Sequence, residues 1–500
     1  MRKVLAAVLL LATLSCNFAP HYERPRLPVP NTFGGAGGSV CAADTGWRRM
    51  FGDARLQALI ALALAHNRDL RVIALDVEVA RAQFAAQRAQ LLPAVGGVAQ
   101  ASISNVAGGG FVGNVTRTTG AAATSAPAAQ KRRPEDAGSA AATGSAAGAG
   151  SGAVTDLLSK RTYTLGGSAT YELDLFGRIR NLTAAARERY LRSVEAFRAA
   201  HLALVGQVVT QYLAERGFAE QHAIAVHTEE TTRSTLQLTR RLFEAGQRSE
   251  LDVRAIEAQW RAARGEIPRL QRSWAQAQNA LVLLVGRPLP ADLPPPRALD
   301  DQHVIADLAP GLPSQVLLRR PDVLEAEHAL LAANANIGAA RAAFFPDISL
   351  TGFGGWVSTS LSNLFGGIGI WSFSPQITQP IFTGGQNAAN LRVTEVRKHI
   401  EIANYEKAIQ TAFREVADAL VARATYDTQI TENRARVEAE QVRFNLSDAR
   451  YREGVASYLD VLDAQQALYT AQQVMIQLQV ARLTNLSDLY RALGGGWKEE

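Results

Sequence analysis

The chain has 500 residues, 47% of them hydrophobic, and a formal net charge of +6, which is enough apolar material for a large buried core. The basicity does not point to nucleic acid, because the longest Lys/Arg block is Lys131, Arg132 and Arg133 and no nucleic-acid motif accompanies it. Eight His and two Cys without metal-ligand spacing give neither a metal centre nor a disulfide framework. No triad-like cluster or cofactor loop suggests an enzyme.

Arg2 and Lys3 precede an apolar run over 4–12, and Cys16 follows Thr13, Leu14 and Ser15. This reads as a signal peptide over 1–15 and an acylation site at Cys16. The usual pattern has Leu three residues before the cysteine, where this chain has Thr13. The alternative is a plain secretory signal cut near Ala19. Stable anchoring takes more than one lipid chain; beyond this covalent lipid no cofactor is expected. Residues 16–50 read as an extended, Pro/Gly-rich tether, and Cys41 has no assigned role. Past the signal, the longest wholly apolar stretch is 58–65, far too short to cross a bilayer as a helix. If the exported chain spans a membrane, it does so with strands.

Residues 51–92 have a helical pattern (Leu56, Leu59, Ile60, Ala63, Leu64, then Leu70, Ile73, Val77, Ala80), interrupted around Asn67, Arg68 and Asp69 and ended by Pro93. Two strands are expected next, over 94–106 and 161–176. The second alternates strictly, with Tyr163, Leu165, Ala169, Tyr171 and Leu173 on one side and Thr162, Thr164, Ser168, Thr170 and Glu172 on the other. Aromatics on the apolar side suit a membrane-interface girdle. Between them, 107–160 reads as a low-complexity outward loop, without the Gly-Lys-Ser/Thr of a phosphate site. A helix over 177–245 and a return helix over 251–285 follow.

The second half repeats this order: a helix over 315–345, strands over 347–357 and 370–382, a long helix over 384–453 and a return over 459–493. Ile348, Leu350 and Trp356 share one side of the first strand; Trp371, Phe373, Ile377 and Ile381 share one side of the second. Phe243, Gly246, Ser249, Leu251, Asp252 and Val253 recur as Tyr451, Gly454, Ser457, Leu459, Asp460 and Val461, and the same offset carries Gly286 onto Gly494. The chain is therefore an internal duplication, with halves at 51–312 and 313–497. Each long helix would reach roughly 100 Å at about 1.5 Å per residue. Each return covers about half that distance, and the helix preceding the strands is long enough to fill the rest.

Several stretches carry a resemblance: Ala19, Pro20, Tyr22 and Pro25; Trp47 with Phe51, Gly52, Asp53, Arg55 and Leu56; Asn67 to Leu70; Leu318, Arg319, Arg320, Pro321, Asp322 and Val323; Tyr451 and Gly454 with Leu459, Asp460, Val461, Asp463 and Gln465; and Leu493, Gly494, Gly495, Gly496 and Trp497. In these the chain resembles the outer-membrane factors of the TolC/NodT-type efflux family over residues 16–497. The resemblance implies an α+β membrane protein. Its homotrimer would form a twelve-stranded β-barrel in outer-membrane lipid, four strands per chain, continuous with a long periplasmic α-helical barrel. It also implies docking, by the helical tips, onto a periplasmic adaptor (membrane fusion) protein that links to an inner-membrane pump of the resistance-nodulation-division type. The tips here are Gly246, Gln247, Arg248 and Ser249, and Gly454, Val455, Ala456 and Ser457. The first tip is the more polar and departs from the family's motif.

Family members close the pore at positions matching Tyr451, Leu459 and Asp463, and Asp460 would add to a carboxylate ring favouring cations. The alternative for both acids is a favourable place at a helix start. Gln466 stands where relatives carry a basic partner for the acidic residue. The expected function is passive exit of small molecules such as drugs through a multidrug-resistance efflux system. Type I protein secretion and metal-ion export are alternatives within the channel class. A lipid-anchored periplasmic scaffold without a pore is the alternative outside it.

Overall fold

The computed structural model describes residues 17–30, 40–41, 45–105, 159–306, 308–309 and 319–495. Cys16, the expected loop 107–160 apart from its last two residues, and Trp497 lie outside them. The described chain forms two compact units, each drawing on both halves of the sequence.

The first unit holds one antiparallel sheet of β1 (Ala94–Asn105), β2 (Ser159–Leu173), β3 (Asp347–Ser358) and β4 (Ile368–Thr378), in the order β1-β2-β3-β4. The register aligns the alternation of all four strands. Leu173, Ile348 and Ile377 stand in one row, Tyr171 and Leu350 in the next, then Ala169, Gly352 and Phe373, and Leu165 opposite Trp356. Directly opposed residues share a face, so the aromatic and aliphatic side chains gather on one side. Thr164, Ser168, Thr170, Glu172, Ser349, Thr351, Asp347, Ser372, Ser374 and Gln376 fall on the other. The polar face also carries Phe353, opposite Ser372.

Two strands end earlier than expected. The Asp174 carboxylate accepts from the Arg180 backbone N–H at 2.8 Å, and Gly177 has φ 78, so the chain turns into a helix instead of continuing the strand to 176. β4 stops at Thr378, before Gln379 and Pro380. A proline restricts its predecessor and has no N–H to donate. Ile381 therefore lies outside the strand and is 94% exposed, where it was expected to share the strand's apolar side.

The second unit is helical. α1 (Ala54–His66) and α2 (Arg68–Ala89) are separated at Asn67, whose carbonyl Oδ1 accepts from Leu70 N and whose amide donates to the Leu284 carbonyl, both at 2.8 Å. α3 (Arg178–Glu244) and α6 (Gln386–Arg452) are each 67 residues long; α4 (Glu250–Val285) and α7 (Tyr458–Ala492) return from them. α5 (Pro321–Ala342) precedes β3 in sequence. The main core joins α1, α3, α4, α6 and α7, with Trp47, Phe51, Leu56, Leu59, Ile60, Tyr212, Val416, Leu483 and Tyr490 among its members. Leu56, Leu59, Ile60 and Ala63 are buried as the helical spacing implies, whereas Val72, Leu75 and Val79 on α2 are more than half exposed.

An N-terminal strap over 17–30 lies along α5. Arg24 and the Tyr22 hydroxyl both donate to Glu327, the Asn334 amide donates to the Pro20 carbonyl at 2.8 Å, and Leu27 and Val29 pack beside Val323 and Tyr405.

Candidate functional site

Both long helices end in the same backbone device. Gly246 and Gly454 take φ 73 and 77, a left-handed conformation that costs other L-residues energy. Their amides and those of the next residues close onto the last turn: Gly246 N to Phe243 O and Gln247 N to Leu242 O, Gly454 N to Tyr451 O and Val455 N to Arg450 O, at 2.8–3.0 Å. Carbonyls that the helix end leaves unsatisfied are thereby used. An added Cβ would meet nothing within 4 Å at either glycine, so the requirement is conformational, not spatial.

Each return helix then starts on a serine. Ser249 forms a reciprocal capping box with Asp252, which fixes that acid as a structural group. Ser457 accepts from the Leu459 N–H at 3.2 Å. Asp460, the counterpart of Asp252, has no side-chain partner among the described residues.

The second tip is locked to the first through Tyr451. Its ring is 1% exposed, and its hydroxyl lies 2.8 Å from Thr239 Oγ1. Thr239 already donates to the Thr235 carbonyl, so Tyr451 is the donor in this pair. Arg248 places its guanidinium 4.3 Å from the centre of the Tyr451 ring and donates to the Tyr451 carbonyl at 2.8 Å. The charge in the first tip is thus turned inward onto the second. Tyr458 meets the other side of Tyr451 edge-on, with 5.5 Å between ring centres, and Leu236, Val253, Ile256 and Val461 complete the cluster. Burial, with Tyr451 and Asp448 adding to it, pushes the Tyr458 hydroxyl well above the ordinary phenol range and keeps it neutral.

The other expected gate residues lie on a different surface. Leu459, Asp460 and Asp463 fall within one arc of the first turns of α7, and Leu459 is 64% exposed. Tyr458, Val461 and Ala464 hold the opposite, packed side. Asp463 forms an ion pair with Arg443 of α6, which also reaches Glu440 at 3.2 Å. The sequence reading looked for a basic partner at Gln466 and missed Arg443. That residue lies on the neighbouring helix, and only the antiparallel pairing of α6 with α7 brings it to Asp463. Among the described residues, no group of His, Cys, Asp and Glu is placed to hold a metal ion.

The model of the outer membrane efflux protein family matches residues 59–287 and 312–495. The chain belongs to this family. It is 41% identical over 493 residues to the probable efflux pump outer membrane protein TtgC of Pseudomonas putida, covering 97% of this chain and 93% of that one. It is 37% identical over 501 residues to the cation efflux system protein CusC of Escherichia coli (strain K12), covering 99% of each. The crystal structure of the open state of the Neisseria gonorrhoeae MtrE outer membrane channel superposes with a TM-score of 0.81 at 37% identity, covering 97% of this chain and 99% of that one.

The protein is accordingly an outer-membrane efflux channel, a transport component and not an enzyme, and its fold is the α+β membrane class expected from the sequence. For a channel of this family, the amphipathic sheet is the membrane-spanning part. The tip surface with Leu459, Asp460 and Asp463 is the candidate gate. Exposed apolar side chains at the tips, Leu251 at 78%, Val455 at 71% and Leu459, form a surface that a partner can cover.

Proposed function

We propose that three copies of the chain close into one duct that gives small molecules passive exit across the outer membrane, serving an inner-membrane pump through a periplasmic adaptor. The observation that carries this reading is the register of the sheet, which gathers apolar residues on one face and polar residues on the other. A sheet of four strands has two open edges, β1 and β4, and unpaired edges are not tolerated in lipid. Closure by further copies removes them. The helical unit has matching needs, with Val72, Leu75 and Val79 exposed on α2, and Val393 and Val396 exposed on α6. Cys16 carries the covalent lipid that holds the strap at the membrane.

In the closed state Leu459, Asp460 and Asp463 from three chains surround the periplasmic entrance. Arg443 holds each Asp463 in place, and the Arg248–Tyr451–Thr239 contacts hold the two tips of a chain together. Opening separates these groups. The Asp463–Arg443 pair is solvent-exposed and a weak tie, which suits a gate that an adaptor must move. Asp463→Ala and Arg443→Ala are each expected to raise single-channel conductance in planar bilayers severalfold, with trimers intact on unboiled gels. Unchanged conductance in both variants would remove the pair from the gate.

The tips supply the adaptor surface. Val455→Glu places a carboxylate on that apolar surface and is expected to abolish co-purification with the cognate adaptor, while trimer yield and conductance stay as in the parent. Retained co-purification would move docking elsewhere.

Similarity to TtgC, a name also printed for a toluene efflux protein, supports small organic cargo as the first reading. Similarity to CusC supports cation export as the second. Deleting the gene and measuring accumulation of toluene or an ethidium dye against accumulation of silver ion separates them. Accumulation of the organic compounds alone is expected.

A further inference from the structure

α5 lies between the two long helices. His328 contacts Glu188 of α3 at 2.7 Å, and Arg320, next to the start of α5, bonds Glu415 of α6 at 2.8 Å. The strap occupies one side of α5, through Glu327, Asn334 and Arg341. At about 100° per residue, Ala329, Ala333, Asn336 and Ala340 fall on the opposite side. There, α3, α5 and α6 enclose a cavity of about 620 Å³. Its floor is the alanine side of α5. Its rim carries Arg189 and Arg192 from α3 and Arg397 and Glu401 from α6. Arg192 is paired with Glu325 at 3.2 Å. Arg189 and Arg397 have no ion-pair partner among the described residues, so the cavity is cationic.

The position of the strap indicates which way this cavity opens. In a channel wall one helix thick, α5 has one face outward and one inward. A strap tethered to lipid through Cys16 runs along the outer face, which leaves the cavity facing the bore. This step rests on the channel reading proposed above. We propose that the cavity is a binding site in the bore for amphipathic organic anions, a carboxylate or sulfonate head on a compact apolar body. Two guanidiniums with free donors match a planar or tetrahedral oxyanion. The small alanine side chains leave room for a ring and give it apolar contact. An organic cation of the same shape gains the apolar contact and loses the attraction. An inorganic anion gains the attraction and loses the contact.

The test uses the detergent-solubilised full-length trimer at low ionic strength, with 1-naphthalenesulfonate as probe in a calorimetric titration. One site per chain is expected, and binding should weaken as salt is added. Arg189→Gln combined with Arg397→Gln should weaken it by about tenfold or more. Ala340→Leu, which keeps every charge and fills the floor, should weaken it as well and guards against the charge variant failing to assemble. The controls are 1-naphthylmethylammonium and inorganic sulfate. The proposal falls if the variants bind like the parent, if the cation binds equally, or if sulfate binds as tightly as the naphthalenesulfonate. Bilayer conductance of the same variants reports separately on the duct: loss of binding with conductance retained supports the site, and a parent protein without conductance would sink the channel reading instead.

Discussion

Phe373→Arg is expected to abolish insertion of the channel into the outer membrane, while Ser372→Arg, one residue away, leaves it assembled. The two residues sit at the middle of β4 on opposite faces. Phe373 stands in the apolar row with Gly352 and Ala169, and Ser372 stands opposite Phe353 among the polar side chains. A guanidinium on the lipid side near the bilayer midplane costs about 2–4 kcal/mol per chain. Three chains would bring that to roughly 6–12 kcal/mol, comparable with the whole stability of an ordinary domain. On the other face the same side chain reaches water in the bore, and its cost is mainly steric. The readout is the amount of heat-dissociable trimer in isolated outer membranes. Equal loss in both variants, or in neither, would mean that the two faces do not separate lipid from bore.

That contrast was already legible in the chain, because alternation over 163–173 and 347–357 fixes which side of a strand each residue takes. The pairing of strands was not legible, since register depends on long-range contacts that no single strand encodes. Strand ends were read too long wherever a local side chain or proline competes with the ladder, as Asp174 and Pro380 do. The long helices were legible because α3 and α6 lack proline. α4 nevertheless runs on through Pro268 and forgoes one backbone hydrogen bond there.

The tips follow the same division. Glycine followed three residues later by serine marks a helix stop and start, and both tips take that form. The side-chain links across the tips were hidden. Arg248 looks in sequence like surface charge, yet it lies on the Tyr451 ring. Arg443 and Asp463 are on different helices, brought together by the antiparallel return. Sequence spacing reports neighbours on one helix; gate contacts arise between helices. The grouping of Tyr451 with Leu459 and Asp463 also hid a difference, since the first is a buried lock and the others form an exposed surface.

The second large effect is expected at Asp53, far in sequence from either tip. Asp53 is 2% exposed and caps α1, with Oδ1 accepting from Arg55 N at 2.8 Å and Leu56 N at 3.5 Å. Its Oδ2 accepts from the Tyr212 hydroxyl at 2.7 Å and the Gln302 amide at 3.0 Å. One carboxylate thus ties the start of α1 to the middle of α3 and to the segment that follows α4. Asp53→Ala removes the cap, worth about 1 kcal/mol, and leaves a buried hydroxyl without its acceptor, at about 1–3 kcal/mol. Burial beside the carboxylate keeps Tyr212 protonated, so the hydroxyl cannot escape by ionising. A total loss of about 3–5 kcal/mol is expected, seen as a lower melting temperature of the helical signal in detergent. Asp53→Asn retains one acceptor oxygen and should lose less. Tyr212→Phe alone should cost about 1 kcal/mol, and adding it to Asp53→Ala should recover part of the loss, because the stranded hydroxyl is then gone. Strict additivity of the two substitutions would mean that Asp53 acts only as a cap and that the tie to α3 contributes nothing.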